Sequence, residues 1–283
     1  MSMYGDYRRV IPSIPRLFAL VSIICVIIPF DAVAQHERYM GEAMFEGTMD
    51  EYQMGNYAEA VKGFKRFISF APNDFNGHYL LAHSLRFLGR YDEALEYYEK
   101  ALTIKNDDYD AHVYTGNLYG RTGAYDKAES HFNMALALIP GDSDAVAGLG
   151  TVRRLKGDMD GALDYYRKAL ETDQENPGAL TGTGVIYRQR GDTGKALEYL
   201  ERAIAAAPYD YDALMEAGEL RLVMKQPAEA RELFMHAAKR NPYSPEPHLK
   251  LAEAAAMRGD TDGERGHTER AKALQSLSAS SSR

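Results

Sequence analysis

The sequence of 283 residues has one cysteine, no tryptophan and no excess of basic side chains. Cys25 lies in an apolar N-terminal segment, so we expect no disulfide, thiolate metal site or cysteine nucleophile in the rest of the chain. The formal net charge is −8, which argues against a sequence-independent nucleic-acid binder because such a protein needs a basic face. No nucleic-acid partner is therefore predicted.

Motifs of common enzyme and metal sites are also missing. The chain has neither a phosphate-binding loop ending in Gly-Lys-Ser/Thr nor a His-Glu-x-x-His pair. His78, His112 and His248 recur at one position of the repeat described below, which indicates a packing role. No carboxylate or thiol completes a metal-ligand set around them. We predict no catalytic residue, no metal and no cofactor.

Long apolar runs are missing after the N-terminal segment. The run Leu17–Phe30 has 14 residues, follows three arginines and precedes the tripeptide Ala-Val-Ala at 32–34. This pattern predicts a secretory signal peptide over residues 1–34, cut between Ala34 and Gln35. The alternative is an uncleaved membrane anchor, although a membrane span needs roughly 20 apolar residues. We expect an exported protein, periplasmic or secreted, whose membrane contact is limited to this segment if it is not cleaved.

A repeat of 34 residues fills the rest of the chain. A glycine marks each step, with lysine in the sixth place: Gly55, Gly89, Gly123, Gly157, Gly191, Lys225 and Gly259. An alanine follows at a fixed distance: Ala60, Ala94, Ala128, Ala162, Ala196 and Ala230. Four residues after each alanine stands a large side chain: Phe64, Tyr98, Phe132, Tyr166, Leu200 and Phe234. The alanine and the large side chain lie on one helix face. This spacing therefore predicts that two helices approach closely at the alanine and that the large side chain fills the remaining space between them.

Helix boundaries can also be predicted from the repeat. A capping residue precedes the first helix of each later unit: Asp74, Asp108, Asp142, Asn176, Asp210 and Ser244. The glycine between the two helices of a unit can adopt the positive φ of a short turn. Small residues such as Gly116 and Gly150 allow the helices to approach closely. Since Lys225 replaces glycine and is followed by Gln-Pro, an altered turn is expected there.

The third copy carries Gly116, Tyr119, Gly123, Tyr125, Ala128, Phe132, Ala135 and Pro140. This set resembles the tetratricopeptide repeat, a helix–turn–helix unit of 34 residues. The resemblance covers about residues 41–278 and implies an all-α, right-handed solenoid of about seven repeats. The predicted repeats start near residues 41, 75, 109, 143, 177, 211 and 245. Residues 35–40 form a short lead, the polar seventh repeat serves as an end cap, and a disordered tail is expected over 279–283.

In this family the first helices line the concave surface, so the resemblance implies which side chains face a partner. Eight residues are predicted there: Tyr79, His83, Arg86, Asn117, Arg121, Thr151, Arg154 and Arg188. A column of arginines suits an acidic peptide, a chain carboxylate or a phosphate. The alternative is that these arginines only complement the helix macrodipole at helix C-termini, which needs no ligand.

The combined pattern predicts a non-enzymatic scaffold in the bacterial envelope that binds a protein or peptide in its concave groove. Similar exported proteins help to assemble pili, secretion channels, outer-membrane complexes or polysaccharide-export machines. One alternative is self-association, including a homodimer, through the first repeat, where Met40, Met44, Phe45 and Met49 lie near the outer edge. A hydrolase or transferase built from groove residues is less favoured because the first helices offer no nearby carboxylate pair.

Overall fold

The computed structural model describes the backbone of residues 30–280 and the side-chain environments of residues 40–276. Residues 1–29, which hold most of the predicted signal segment, and residues 281–283 lie outside the described part. The described part consists of 14 helices joined by short turns. In chain order they are α1 Phe30–Gln53, α2 Tyr57–Phe70, α3 Phe75–Phe87, α4 Tyr91–Ile104, α5 Tyr109–Arg121, α6 Tyr125–Leu138, α7 Ser143–Leu155, α8 Met159–Thr172, α9 Pro177–Gln189, α10 Thr193–Ala206, α11 Tyr211–Val223, α12 Pro227–Arg240, α13 Glu246–Met257 and α14 Thr261–Ser280.

Consecutive helices pair as helix–turn–helix units, and each unit packs on the next, which confirms the predicted all-α repeat architecture. The recurring alanine and the large side chain four residues later form the centre of each unit. In the second unit, for example, Ala94 and Tyr98 are fully buried. One apolar cluster extends from Ala60 to Val152, so the core is shared between neighbouring units.

Glycines within the first helices are required by close packing. A Cβ atom at Gly116 would lie 3.0 Å from the ring of Phe132, and one at Gly150 would lie 2.7 Å from the ring of Tyr166. Each ring belongs to the second helix of the same unit as the glycine and stands four residues after the recurring alanine. The predicted close approach of the two helices is therefore confirmed.

The turn within each unit has one backbone conformation throughout the array. Gly89 has φ of 74°, and the glycines at the equivalent positions are also positive. Lys225 has φ of 57°, so the sixth turn keeps the left-handed conformation although a side chain makes it less favourable. The expectation of an altered turn at Lys225 is wrong, because packing on both sides fixes the repeat geometry.

Five of the six predicted N-caps accept a hydrogen bond from the first turn of their helix. Asp74 accepts from the backbone N–H of Gly77 at 2.7 Å, and Asp108, Asp142, Asn176 and Asp210 cap in the same way. Ser244 is the exception, because α13 starts one residue later and its cap position is Pro245. The hydroxyl of Ser244 still accepts from the N–H of Glu246 at 3.4 Å.

Helices reach both ends of the described chain. Helix α1 begins at Phe30, so residues 35–40 of the predicted lead are helical. Helix α14 continues to Ser280, and the predicted disordered tail over 279–283 stays a prediction because residues 281–283 lie outside the described part. Burial of Ala271 and Leu274 anchors the end of this helix. None of the described helices combines the length and apolar character that a membrane crossing requires.

Candidate functional site

The predicted binding residues lie on the first helices of the second to fifth units. Arg86, Arg121, Arg154 and Arg188 occupy the last turns of α3, α5, α7 and α9. Stacking of the units aligns these helix ends along one face, which we call the inner face. The four arginines have different surroundings, and these differences determine which of them is available to a partner.

Arg86 is surrounded by aromatic rings. Its Cζ atom lies 4.4 Å from the centre of the Phe87 ring and 5.5 Å from that of Tyr114. Its Nε atom is buried without a hydrogen-bond partner, and among the described residues no carboxylate forms an ion pair with it. Burial raises the pKa of the nearby Tyr98 hydroxyl, and Arg86 acts against this rise. Because no carboxylate neutralises the guanidinium, its charge can still attract a planar anion.

Arg154 resembles Arg86 in lacking a carboxylate partner. Its Nε atom is also buried without a hydrogen bond, and no ion pair to this side chain occurs within residues 40–276. Its charge contributes to the environment of Glu216 on α11, where it acts to lower the carboxyl pKa. Arg154 is thus a half-buried cation that neighbouring side chains do not neutralise by direct contact.

Arg188 is neutralised by helix α11. Its guanidinium donates to Glu216 at 2.7 Å and to Glu219 at 3.1 Å. Lys250 on α13 adds an ion pair with Glu219 at 3.1 Å. The pKa of Glu216 is nevertheless raised, because burial disfavours the charged carboxylate more than Arg188 favours it. This part of the inner face is a closed ion-pair network.

A shallow pocket of about 290 Å³ lies beside this network. Arg188, Glu219 and Lys250 form its polar side, while Val223 and Met257 contribute partly exposed apolar surface. Because the charged residues of the pocket already pair with one another, it offers apolar contact more than free charge.

Arg121 bridges the inner face. It is exposed, and its Nη1 atom lies 3.3 Å from a carboxylate oxygen of Asp212, which is 91 residues away on α11. Tyr243 makes a second long-range contact, because its hydroxyl donates to the carbonyl of Gly55 at 3.1 Å. Its ring also lies 6.1 Å from that of Tyr57. The sixth unit therefore reaches the first and third units across the concave side.

The remaining predicted residues are divided between packing and exposure. His83 is only 7% exposed, contacts Tyr114 edge-to-face at 4.4 Å and lies 4.8 Å from Tyr79. Burial lowers the pKa of His83 to about 3, so this ring is a neutral member of an aromatic cluster. The rings of Tyr79, Tyr98 and Tyr114 surround His83, and the role of this residue in binding stays a prediction.

Thr151 and Asn117 complete the predicted set. The hydroxyl of Thr151 is 3.1 Å from that of Tyr166, so its hydrogen bonding is used inside the unit. Asn117 is exposed on α5. The role of each of these residues in binding stays a prediction.

Several residues of the inner face were missed by the sequence reasoning. Tyr57, Tyr114 and Tyr243 line it with rings, and the carboxylates of α11 oppose the arginines. A signal for the carboxylates was present, since Asp212, Glu216 and Glu219 are spaced by four and three residues and so share one helix face. The contact of Tyr243 with Gly55 has no comparable local signal.

Family models agree with this architecture. One tetratricopeptide repeat model matches residues 74–141 and again 142–208, and a second matches residues 187–242. Together the matches span residues 74–242, which is more than half of the chain. Comparison with curated proteins gave no significant match.

Two solved structures share the fold. A tetratricopeptide repeat protein from Parabacteroides merdae is 18% identical, with a TM-score of 0.53 over 83% of this chain and 93% of that protein. A thermophilic TPR protein of Thermus thermophilus is 22% identical, with a TM-score of 0.54 over 65% of this chain and all of that protein. The chain belongs to the tetratricopeptide repeat family, whose repeat domains are typically scaffolds for protein–protein interaction.

Proposed function

We propose that this protein is a non-enzymatic scaffold of the bacterial envelope that binds the anionic part of a protein or peptide on its inner face. The observation that carries the proposal is that Arg86 and Arg154 form no ion pair among the described residues, whereas Arg188 at the equivalent position is paired with Glu216 and Glu219. A guanidinium whose charge no carboxylate neutralises attracts a carboxylate or phosphate of another chain, which can accept from its terminal amino groups.

The chemistry of this region favours a carboxylate-rich segment with neighbouring apolar or aromatic side chains. The fork of a guanidinium matches two carboxylate oxygens, and the rings of Phe87 and Tyr114 beside Arg86 exclude water from such a contact. Each charge-assisted hydrogen bond of this kind contributes about 1.5–3 kcal/mol. Two arginine contacts therefore account for a large share of the affinity of a peptide.

The envelope location rests on the N-terminal sequence pattern. Cleavage between Ala34 and Gln35 would remove the first residues of α1 and leave most of that helix in place. In this location the partner would be a component of a pilus, secretion, outer-membrane or polysaccharide-export complex. Intact-mass measurement of the protein from the native cell envelope tests the cleavage, because a chain that still carries residues 1–34 would contradict it.

Affinity capture from the native cell envelope tests the partner. The double variant R86Q/R154Q removes both guanidiniums that lack a carboxylate partner, and the matched variant R167Q removes one exposed arginine of α8, whose ion pair among the described residues is with Asp164. We expect wild type and R167Q to retain the same envelope proteins and R86Q/R154Q to lose them. Equal recovery by all three chains would contradict the proposed binding region.

A second candidate, self-association through the first repeat, is favoured by exposed methionines at that end. Met40 is 46% exposed and Met54 is 73% exposed. Phe45, by contrast, lies 5.0 Å from Phe67 and is packed within the repeat, as is Met49. Light scattering during size exclusion separates the candidates, since a dimer that M40E/M54E converts to a monomer would support self-association.

A further inference from the structure

Two histidines face each other inside the third unit. His112 on α5 and His131 on α6 are 4% and 8% exposed. Their Nδ1 atoms are 3.1 Å apart, which is the separation of a nitrogen–nitrogen hydrogen bond. One of these atoms must therefore carry a hydrogen, and the other must present a lone pair.

The outer nitrogen of each ring faces a group that can only accept. His112 Nε2 lies 3.0 Å from the backbone carbonyl oxygen of Asn106. His131 Nε2 lies 3.3 Å from Oε1 of Glu99 on α4, and the hydroxyl of Tyr119 donates to the same oxygen at 2.8 Å. Both outer nitrogens must therefore carry a hydrogen, since two acceptors at these distances would repel each other.

Counting hydrogens shows a deficit of one. The three contacts need three N–H groups, whereas two neutral imidazoles supply two. We propose that His112 and His131 form a site that binds one proton between their Nδ1 atoms, with Glu99 as the neighbouring counter-charge. With this proton each of the three contacts joins an N–H group to an acceptor, and without it one of the contacts brings two lone pairs together.

The surrounding charges allow one proton and oppose a second. Burial lowers the pKa of His131 and Glu99 acts in the opposite direction, while His112 and Lys127 add to the lowering. The shared proton is therefore held between the two Nδ1 atoms, and a second proton on the pair is disfavoured. On the neighbouring α7, the cations Arg153 and Lys156 are directed to the acidic side chains of α6 rather than to the rings.

A proton fits this site better than a metal ion. No group of three or more histidine, cysteine, aspartate or glutamate side chains that could hold a metal occurs in the described part of the chain. The two buried rings would supply only two ligands, and their burial leaves no access for the water ligands that a metal would need. A shared proton needs only the two nitrogens.

Other units provide internal comparisons. His78 occupies the equivalent place in the second unit, where its Nε2 lies 2.9 Å from the carbonyl of Pro72 and its neighbour on α4 is Tyr97. Its Nδ1 has no partner, so a single hydrogen suffices and no extra proton is required.

The test is a count of ring hydrogens by long-range ¹H–¹⁵N NMR on the full chain at pH 6.5. We expect three N–H groups over the four nitrogens of His112 and His131, and one on His78. Two N–H groups on the pair would overturn the proposal. A stoichiometric metal in the purified protein, whose removal by a chelator shifts both rings, would also overturn it.

The variant E99Q tests the role of the carboxylate. A glutamine amide can donate to His131 Nε2, so two neutral imidazoles then satisfy all three contacts. We expect the third hydrogen to be lost at a pH lower by about one unit or more than in wild type. The matched variant E96Q removes an exposed carboxylate of the same helix, paired with Lys100, and should leave the count at three. An unchanged titration in E99Q would contradict the hydrogen-bond assignment.

Discussion

The two halves of the inner face carry the same arginine position in different electrostatic states. Arg86 and Arg154 have no carboxylate partner among the described residues, whereas Arg188 is held by Glu216 and Glu219. The difference arises from the next first helix along the stack, at the positions 28 and 31 residues further on. The corresponding residues are Tyr114 and Asn117 for Arg86, Gly182 and Val185 for Arg154, and Glu216 and Glu219 for Arg188.

The repeat therefore determines the position of each arginine, and the residues of the next unit determine whether that arginine is paired with a carboxylate. The C-terminal half uses its arginine for stability. The N-terminal half keeps two cations available for another chain. Single substitutions on the inner face test this difference, and the four below run from the largest expected effect to the smallest.

Charge reversal at Arg188 should have the largest effect. R188E places a third carboxylate beside Glu216 and Glu219, whose side chains are 28% and 29% exposed. Partly buried like charges repel strongly, so we expect the free energy of unfolding to fall by about 2–4 kcal/mol. Urea denaturation measures this loss. R167E on the exposed face of α8 is the matched control and should change the value by no more than about 0.5 kcal/mol.

Supplying a carboxylate to Arg86 should convert the N-terminal half to the paired state. In N117E the new carboxylate occupies the position that Glu219 holds relative to Arg188. We expect affinity for the captured partner to fall about tenfold, because Arg86 must leave its internal ion pair to bind, while stability changes by less than about 1 kcal/mol. Isothermal titration tests this. N117Q is the control, and equal losses in N117E and N117Q would show that the amide rather than the arginine charge matters.

Removing the Tyr243 hydroxyl should loosen the contact across the concave side. Y243F deletes the hydrogen bond to the Gly55 carbonyl and keeps the ring beside Tyr57. We expect a loss of about 0.5–1.5 kcal/mol and a larger radius of gyration in small-angle scattering. A variant with unchanged stability and unchanged dimensions would show that the two ends of the array are not joined through this hydroxyl.

Glu216 should give the smallest effect, visible as a pH dependence. Burial raises its pKa, so the folded chain holds this proton to higher pH than the unfolded chain does. The resulting contribution to stability is fully present below about pH 4.5 and is lost as pH rises through the raised pKa. We therefore expect the free energy of unfolding of the wild type to fall relative to that of E216Q as pH rises from 4.5 to 7. A rise of the wild type relative to E216Q over this range would mean that the ion pair with Arg188 outweighs burial.

Local features of the fold could be predicted from the sequence because each has a local cause. The aspartate caps, the glycine turns and the alanine–ring contacts depend on residues within one unit or its neighbour. Lys225 was misjudged because packing of the adjacent helices forces a backbone conformation that lysine by itself disfavours.

Features that depend on several units were harder to predict. The contacts of Tyr243 with Gly55 and of Arg121 with Asp212 depend on the accumulated rotation of the stacked units, which the 34-residue period does not specify. The burial of His83 was not predicted, because its neighbours Tyr79, Tyr98 and Tyr114 come from three helices. The pairing of Arg188, by contrast, could have been predicted by comparing the residues that face each arginine.

Titration of the captured partner with R86Q/R154Q and with R188Q tests the central claim most directly. Removal of the two unpaired arginines should weaken binding by at least about a hundredfold. It should change the unfolding midpoint no more than an ordinary surface substitution does. R188Q should keep the affinity and lower the midpoint. Loss of affinity in R188Q together with unchanged affinity in R86Q/R154Q would contradict the account.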